Sequence, residues 1–382
     1  TMEGVEVSGG VQDPETGADG HGLAIVAAAD AGALPSVMVS DSRFTGNERM
    51  GVAVFGDAAP NIVASEASDN GVCGICFFDE SQGRVTGTLV TGNGLGIVAG
   101  GAAMPSIWEN TVRDNEVGIV VQDEASPAVF GNTLTANSDT GIEVSGESVA
   151  RVVGNRVEDG GRGLVIADSA TGVVRGNEMD GNEVGLLVTD DAAPEVVSNR
   201  AAASSVAAFV YAGQAAGEAR SLRSDGHPVG LQVGGSAAPV LEDVRLRSDE
   251  GVGVLYLEDG GGSLLGADLE GHETGIQVGG AAVPEIVGGS VREATATGVL
   301  YAETAGGSLD GIEIEGADIG LFVGGDAAPS ITGIRVADSP SAGILYAERG
   351  GGSAVGNTVV GAGSVGIQIG DQAAPDALED NT

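Results

Sequence analysis

A unit of 22 or 23 residues recurs along almost the whole chain, and this period limits what the chain can fold into. The tetrad Gly-(Ile/Val/Leu)-x-(Val/Tyr), with small variations, begins at Gly22, Gly51, Gly74, Gly96, Gly118, Gly141, Gly163 and Gly185. It begins again at Gly230, Gly253, Gly275, Gly298, Gly320, Gly343 and Gly366. Ala208-Phe209-Val210-Tyr211 fills the one missing place, which makes 16 units. A turn marker follows many of them: Ala-Ala-Pro ends at Pro60, Pro194, Pro239, Pro329 and Pro375, with variants at Pro35, Pro105, Pro127 and Pro284. Helical repeats need about 33 residues or more, and the Leu-x-x-Leu-x-Leu frame of leucine-rich repeats is absent. Each unit instead holds short β-type pieces parted by Gly, Asn, Asp and Pro.

Residues 105–127 show the pattern. Ile107 belongs to a first short strand, Val112 to a second after Asn110, and Ile119 and Val121 to a third after Gly118. Three strands and three turns make one triangular coil. The inward positions then stack from coil to coil. Two residues past each Pro stand Ile62, Ile107, Val129, Val196, Leu241, Ile286 and Ile331, and seven past stand Val112, Leu134, Leu246, Val291 and Val336. Branched aliphatics in register are what a parallel solenoid core requires. Asn stacks too, as Asn110, Asn132, Asn155, Asn177 and Asn199, and as Asn47, Asn70, Asn93, Asn115 and Asn137 followed by Asp159 and Asn182. Asn tolerates a left-handed turn, and its amide can bond the same amide one coil on.

In the C-terminal half a 45-residue period overlies the short one. It separates Pro194, Pro239, Pro284 and Pro329, and also Tyr211, Tyr256, Tyr301 and Tyr346. One kind of coil closes with Ala-Pro and the next with Gly-Gly-Ser. The expectation is one β-helix domain over 1–382. It has an irregular first coil over 1–50, double coils from about 194 to 375, and an uncapped end that reads as part of a longer chain.

The Asn rows, Gly-Ile-x-Val strands and Ala-Pro turns resemble the right-handed parallel β-helix proteins, closest to the CASH type (carbohydrate-binding and sugar-hydrolysis domains) of the pectate-lyase-like superfold. The resemblance covers nearly the whole chain. It implies an all-β, right-handed parallel solenoid of about 16 coils, three strands per coil, and the crossover rule for parallel strands gives the same hand. It also implies a polysaccharide cleft between long loops, but the tight 22–23 spacing leaves no room for them; only the step from Gly22 to Gly51 is longer.

Chemistry is sparse. Acidic residues number 55 and basic residues 16, for a net charge of -39, and every basic residue is Arg. Such a chain lacks the basic surface that nucleic acid demands, and no apolar run is long enough for a spanning helix. A lyase needs positive charge to stabilise an enolate; Lys is absent and the Arg residues look dispersed. Gly20-His21-Gly22 matches the Gly-His-Gly of polygalacturonase-like hydrolases, but the family's other segments are missing. His227 precedes Pro228 and His272 follows Gly271, so they read as turn residues rather than paired ligands. In Cys73-Gly74-Ile75-Cys76 an extended strand would hold the Cα atoms roughly 10 Å apart, which implies two free thiols. Acids cluster after the third strand, among them Asp79, Asp123, Asp168, Glu303, Glu348 and Asp371. They form a solvated acidic edge, or else weak calcium sites; no other cofactor is implied.

The x position of the tetrad should point outward. It carries Val120, Val165, Leu187, Val210, Leu255, Leu300, Phe322 and Leu345, an apolar stripe suited to a protein or glycan partner or to self-association. Trp108 is the sole Trp, too little for a broad sugar-stacking face. The expected function is a non-catalytic, secreted or cell-surface rod for structure, adhesion or binding. The alternative is a carbohydrate-binding or polysaccharide-active protein (lyase, hydrolase or epimerase). A groove lined by Arg and Asp on adjacent coils would favour the alternative.

Overall fold

The computed structural model describes residues 1–13, 18–27 and 37–382. Pro35 and part of the expected irregular first coil lie outside them. Among the described residues every regular element is a strand. The fold is a parallel β-solenoid of about 15 turns. Its contacts divide into two units, Thr1–Leu186 with Ala192–Glu195, and Leu187–Asp191 with Val196–Thr382. Both repeat the same three-faced turn. In the first unit it is Ser106–Trp108, Thr111–Arg113 and Val117–Val121. In the second it is Val240–Glu242, Arg245–Arg247 and Val252–Tyr256.

The core is the set of stacked aliphatic rows. Ile62, Ile107, Val129, Val112 and Leu134 in the first unit, and Leu241, Ile286, Ile331, Leu246, Val291 and Val336 in the second, are all buried. Each such side chain contributes about 1.5–3 kcal/mol by leaving water. The recurrent Gly of the third strand has a steric cause. A Cβ on Gly96 would sit 2.3 Å from the Gly118 carbonyl oxygen and 2.9 Å from the Val112 side chain, and Gly298 faces the same obstruction from Gly320 and Ile314. The third strand thus packs against the second with nothing but backbone at this point.

In the first unit both Asn rows form amide ladders. Asn110 donates through its backbone N–H and Nδ2 to Asn132 Oδ1, each at 3.0 Å, and Asn132 does the same to Asn155. Asn132 Nδ2 also reaches the Ile107 carbonyl at 3.0 Å. The second row runs Asn47, Asn70, Asn93, Asn115, Asn137 by the same bonds. Asp159 is not a member. It takes the left-handed corner position (φ 55°), and Gly160 occupies the ladder slot, its N–H donating to Asn182 Oδ1. In the second unit, aliphatic side chains replace the first ladder at Leu222, Val244, Ile312 and Ile334, all buried.

The 45-residue period has two packing causes. On the third face, inward Tyr alternates with Val: Tyr211, Val233, Tyr256, Val278, Tyr301, Val323 and Tyr346 are successive register partners, all buried. A large ring over a small side chain keeps density even between rungs. At the closing turn, Gly lies over Pro. A Cβ on Gly262, Gly307 or Gly352 would fall 2.2, 2.2 and 2.1 Å from the carbonyl oxygens of Pro239, Pro284 and Pro329. In these three turns the close approach of the Pro carbonyl excludes a Cβ on the residue above it.

Gly307→Ala must move the Pro284 turn and should cost several kcal/mol, about the sum of strain and overpacking. Gly288→Ala, also at positive φ but with nothing within 4 Å, should cost only about 1 kcal/mol. Denaturant midpoints of the two variants check this, and equal losses would refute the steric account.

Candidate functional site

The apolar stripe lies on the outer side of the third face but is less exposed than its sequence suggests. Val120 and Val165 are each 5% exposed, and Leu187, Val210, Leu255, Leu300, Phe322 and Leu345 are half-buried. In a flat parallel sheet each side chain is covered by the rungs above and below, at about 4.8 Å, and by the adjoining outer column. In the first unit that column (Met50, Cys73, Val117) packs with Ala53, Cys76, Val98 and Val120 into one cluster, flanked by Phe55, Phe78 and Leu95. Glu143 interrupts the row between Val120 and Val165. Its carboxyl is held above the ordinary range, chiefly by burial, although Arg162 pulls it down.

Cys73 and Cys76 form a disulfide, correcting the expectation of two free thiols. Gly74 and Ile75 both turn inward, which bends the strand, brings the Cα atoms to 6.4 Å and puts both sulfurs on the outer side. The fully extended distance did not anticipate this bend, which leaves the register with both neighbouring strands unbroken. Nearby, a cleft of about 550 Å³ is lined by Asp19, His21, Arg49, Met50, Phe55, Phe78 and Asp79. Phe55 and Phe78 stack at 5.6 Å, with His21 6.3 Å from Phe55. Burial and Arg49 lower the His21 pKa, with Asp19 opposing them.

The acidic edge is part of the framework. Five of its acids accept a backbone N–H from the preceding turn: Asp79 from Gly56 and Asp123 from Gly101 at 2.8 Å, Asp168 from Gly146 at 2.9 Å, and Glu303 from Gly280 and Glu348 from Gly325 at 2.7 Å. Among the described residues no group of three or more His, Cys, Asp or Glu is arranged to hold a metal ion. His227 and His272 prove equivalent, since each follows a glycine and fills an Asn-ladder slot. His227 Nδ1 accepts the Ser204 N–H at 3.1 Å and its Nε2 meets the Ala201 carbonyl at 3.2 Å, reproducing both amide bonds of an Asn. His272 is equally buried, but neither ring nitrogen has a protein partner.

The most distinctive surface is on the first face of the first unit. Trp108 is 41% exposed, and Phe130 stands beside it on the next rung as its register partner. The Arg84 guanidinium carbon lies 5.3 Å from the Trp108 ring centre, and that of Arg151 lies 5.6 Å from Phe130. Arg84, Ser106, Trp108 and Phe130 line a hollow of about 340 Å³. Among the described residues, eleven of the sixteen Arg side chains pair with a carboxylate within 4.0 Å; Arg84 and Arg151 have no such pair there. In so acidic a chain, two cations held over aromatic rings instead of carboxylates form an arrangement suited to a ligand. Trp108 and Phe130 are 22 residues apart, so the repeat itself could have revealed the pair.

The profile described as a right handed beta helix region matches residues 17–155, 50–201 and 229–382. No curated protein matches. Among solved structures, the chain is similar to the catalytic domain of a GH87 alpha-1,3-glucanase in complex with tetrasaccharides. The TM-score is 0.48 and the identity 11%, over 84% of this chain and 64% of that one. It is also similar to the same catalytic domain in complex with nigerose, with a TM-score of 0.29 and 12% identity over 91% and 62%. The chain thus spans less than two thirds of either, and at these scores nothing about activity passes from those enzymes to it.

Burial lowers the His272 pKa to about 4 from 6.5, and nearby His227 adds to the effect. The unfolded state therefore binds the proton more readily, and the stability is present above pH 6.5 and lost as pH falls toward 4. His272→Asn should flatten this part of the stability profile. Thermal unfolding of both proteins from pH 7 to 4 checks it, and parallel curves would refute the assignment.

Proposed function

Because the chain belongs to the right-handed β-helix family, whose fold leaves activity open, we propose that it is a non-catalytic glycan-binding protein whose binding face is the Trp108–Phe130 platform. The carrying observation is the exposed Trp108 beside Phe130, with Arg84 and Arg151, which have no ion pair among the described residues, set over the two rings. The C–H face of a sugar ring stacks on such a surface, and guanidinium N–H groups donate to its oxygens. Tyr211, Tyr256, Tyr301 and Tyr346 are buried, so they offer no competing platform. The Cys73–Cys76 disulfide supports an exported, oxidising setting. No helix among the described residues is long and apolar enough to cross a membrane.

A hydrolytic reading has one observation in its favour: the cleft that holds His21 also holds Asp19 and Asp79, and glycoside hydrolysis uses paired carboxylates.

A polysaccharide panel with the intact chain tests both. Retention of at least one glycan is expected, weakened about three- to tenfold by Trp108→Ala, with no new reducing ends. Binding unaltered by Trp108→Ala would remove the platform. Product release abolished by Asp19→Asn or Asp79→Asn would replace binding with hydrolysis.

A further inference from the structure

The second unit holds a concentration of positive charge that the sequence had not suggested. Arg200, Arg223, Ser224, Asp225, Arg245 and Arg247 line a groove of about 360 Å³ on its second face. Three of the Arg residues form a column, since Arg200 is the register partner of Arg223, and Arg223 of Arg245. All three are exposed. At other places on this face Arg meets a carboxylate or a neutral residue across the rung, as Arg43 meets Glu66, Arg156 meets Glu178, Arg247 meets Glu270 and Arg113 meets Thr135. Like charges on adjacent rungs, about 4.8 Å apart, destabilise a sheet.

The available carboxylates leave the middle of the column uncompensated. Arg200 pairs with Asp225 at 2.8 Å, Arg245 with Asp243 at 2.9 Å and Arg247 with Glu270 at 3.1 Å. Among the described residues Arg223 has no ion pair. It stands between two guanidiniums that each commit part of their fork to a carboxylate and keep further N–H groups free.

We propose that this groove binds a tetrahedral oxyanion, the sulfate or phosphate group of an ester or of the free ion, with Arg223 as the central contact and Arg200 and Arg245 closing on it from the neighbouring rungs. Several forks converging from three rungs match a group with three or four acceptor oxygens better than a carboxylate with two. The chain's charge of -39 acts against any anion at long range, but at about 0.15 M salt the screening length is about 8 Å, so the column governs what happens inside the groove. The site is independent of the aromatic platform, which lies in the other unit.

The test is titration of the full chain with sodium sulfate, sodium phosphate, dextran sulfate, neutral dextran and sodium acetate. Chloride keeps the ionic strength equal, and calorimetry and thermal shift are the readouts. Sulfate or phosphate should bind, and acetate and dextran should not compete. Arg223→Ala should weaken binding about tenfold or more, while Trp108→Ala leaves it unchanged. Asp225→Asn frees Arg200 and should tighten binding, a gain that misfolding cannot imitate. Dextran sulfate binding much more tightly than sulfate would identify an ester on a polymer; equal affinity per sulfate would identify the free ion. Absence of sulfate and phosphate binding, acetate binding as well as sulfate, or indifference to both Arg223→Ala and Asp225→Asn would each overturn the proposal.

Discussion

In-register stacking of rungs about 4.8 Å apart is the constraint from which the rest of the structure follows. In a parallel solenoid every side chain lies against its counterpart one turn on, so each position must tolerate its own repetition. Aliphatic residues do, and they form the core rows. Asn does, because its amide is donor and acceptor at once, and the Asn110–Asn132–Asn155 ladder pairs backbone and side-chain groups together. Tyr recurs only on alternate rungs, with Val between. In the double coils Pro239, Pro284 and Pro329 each lie beneath a Gly, because the Pro carbonyl there fills the space a Cβ would need.

Charge obeys the same constraint, and this makes its exceptions informative. A column of one sign repels itself at every rung. Arg faces carboxylate along stretches of the second face, as at Arg43–Glu66 and Arg247–Glu270, and several acids of the third turn bond to backbone N–H groups. Arg84 and Arg151 over aromatic rings, and Arg223 between two other Arg residues, stand outside that economy. They are held in geometries that cost stability or forgo a partner, as functional sites commonly are.

Much of the fold was legible in the chain. The period, the three strands per turn, the inward rows, both Asn ladders and the buried Tyr row all follow from residue spacing, because a solenoid turns sequence distance directly into spatial neighbourhood. Failures came where local backbone departed from ideal geometry or where spacing was not followed through. A bend at Gly74 brings Cys73 to Cys76. Asp159 proved to be a corner residue one place from the ladder. Side-chain direction alone puts the outer stripe in solvent and takes no account of its mutual burial. Trp108 is solitary by composition, yet Phe130 stands one period away, and the Arg residues are scattered along the chain, yet Arg200, Arg223 and Arg245 are also one period apart.

The sequence by itself determined the architecture, since its 22–23-residue period, with Gly, Asn and Pro at recurring corners, admits parallel stacking and little else. Only the tertiary structure decided which side chains are free to act. Exposure and charge balance at a rung depend on three rungs at once and on the corners that aim them. That is why Val120 is covered while Trp108 is open, and why Arg223 lacks the carboxylate that Arg247 has.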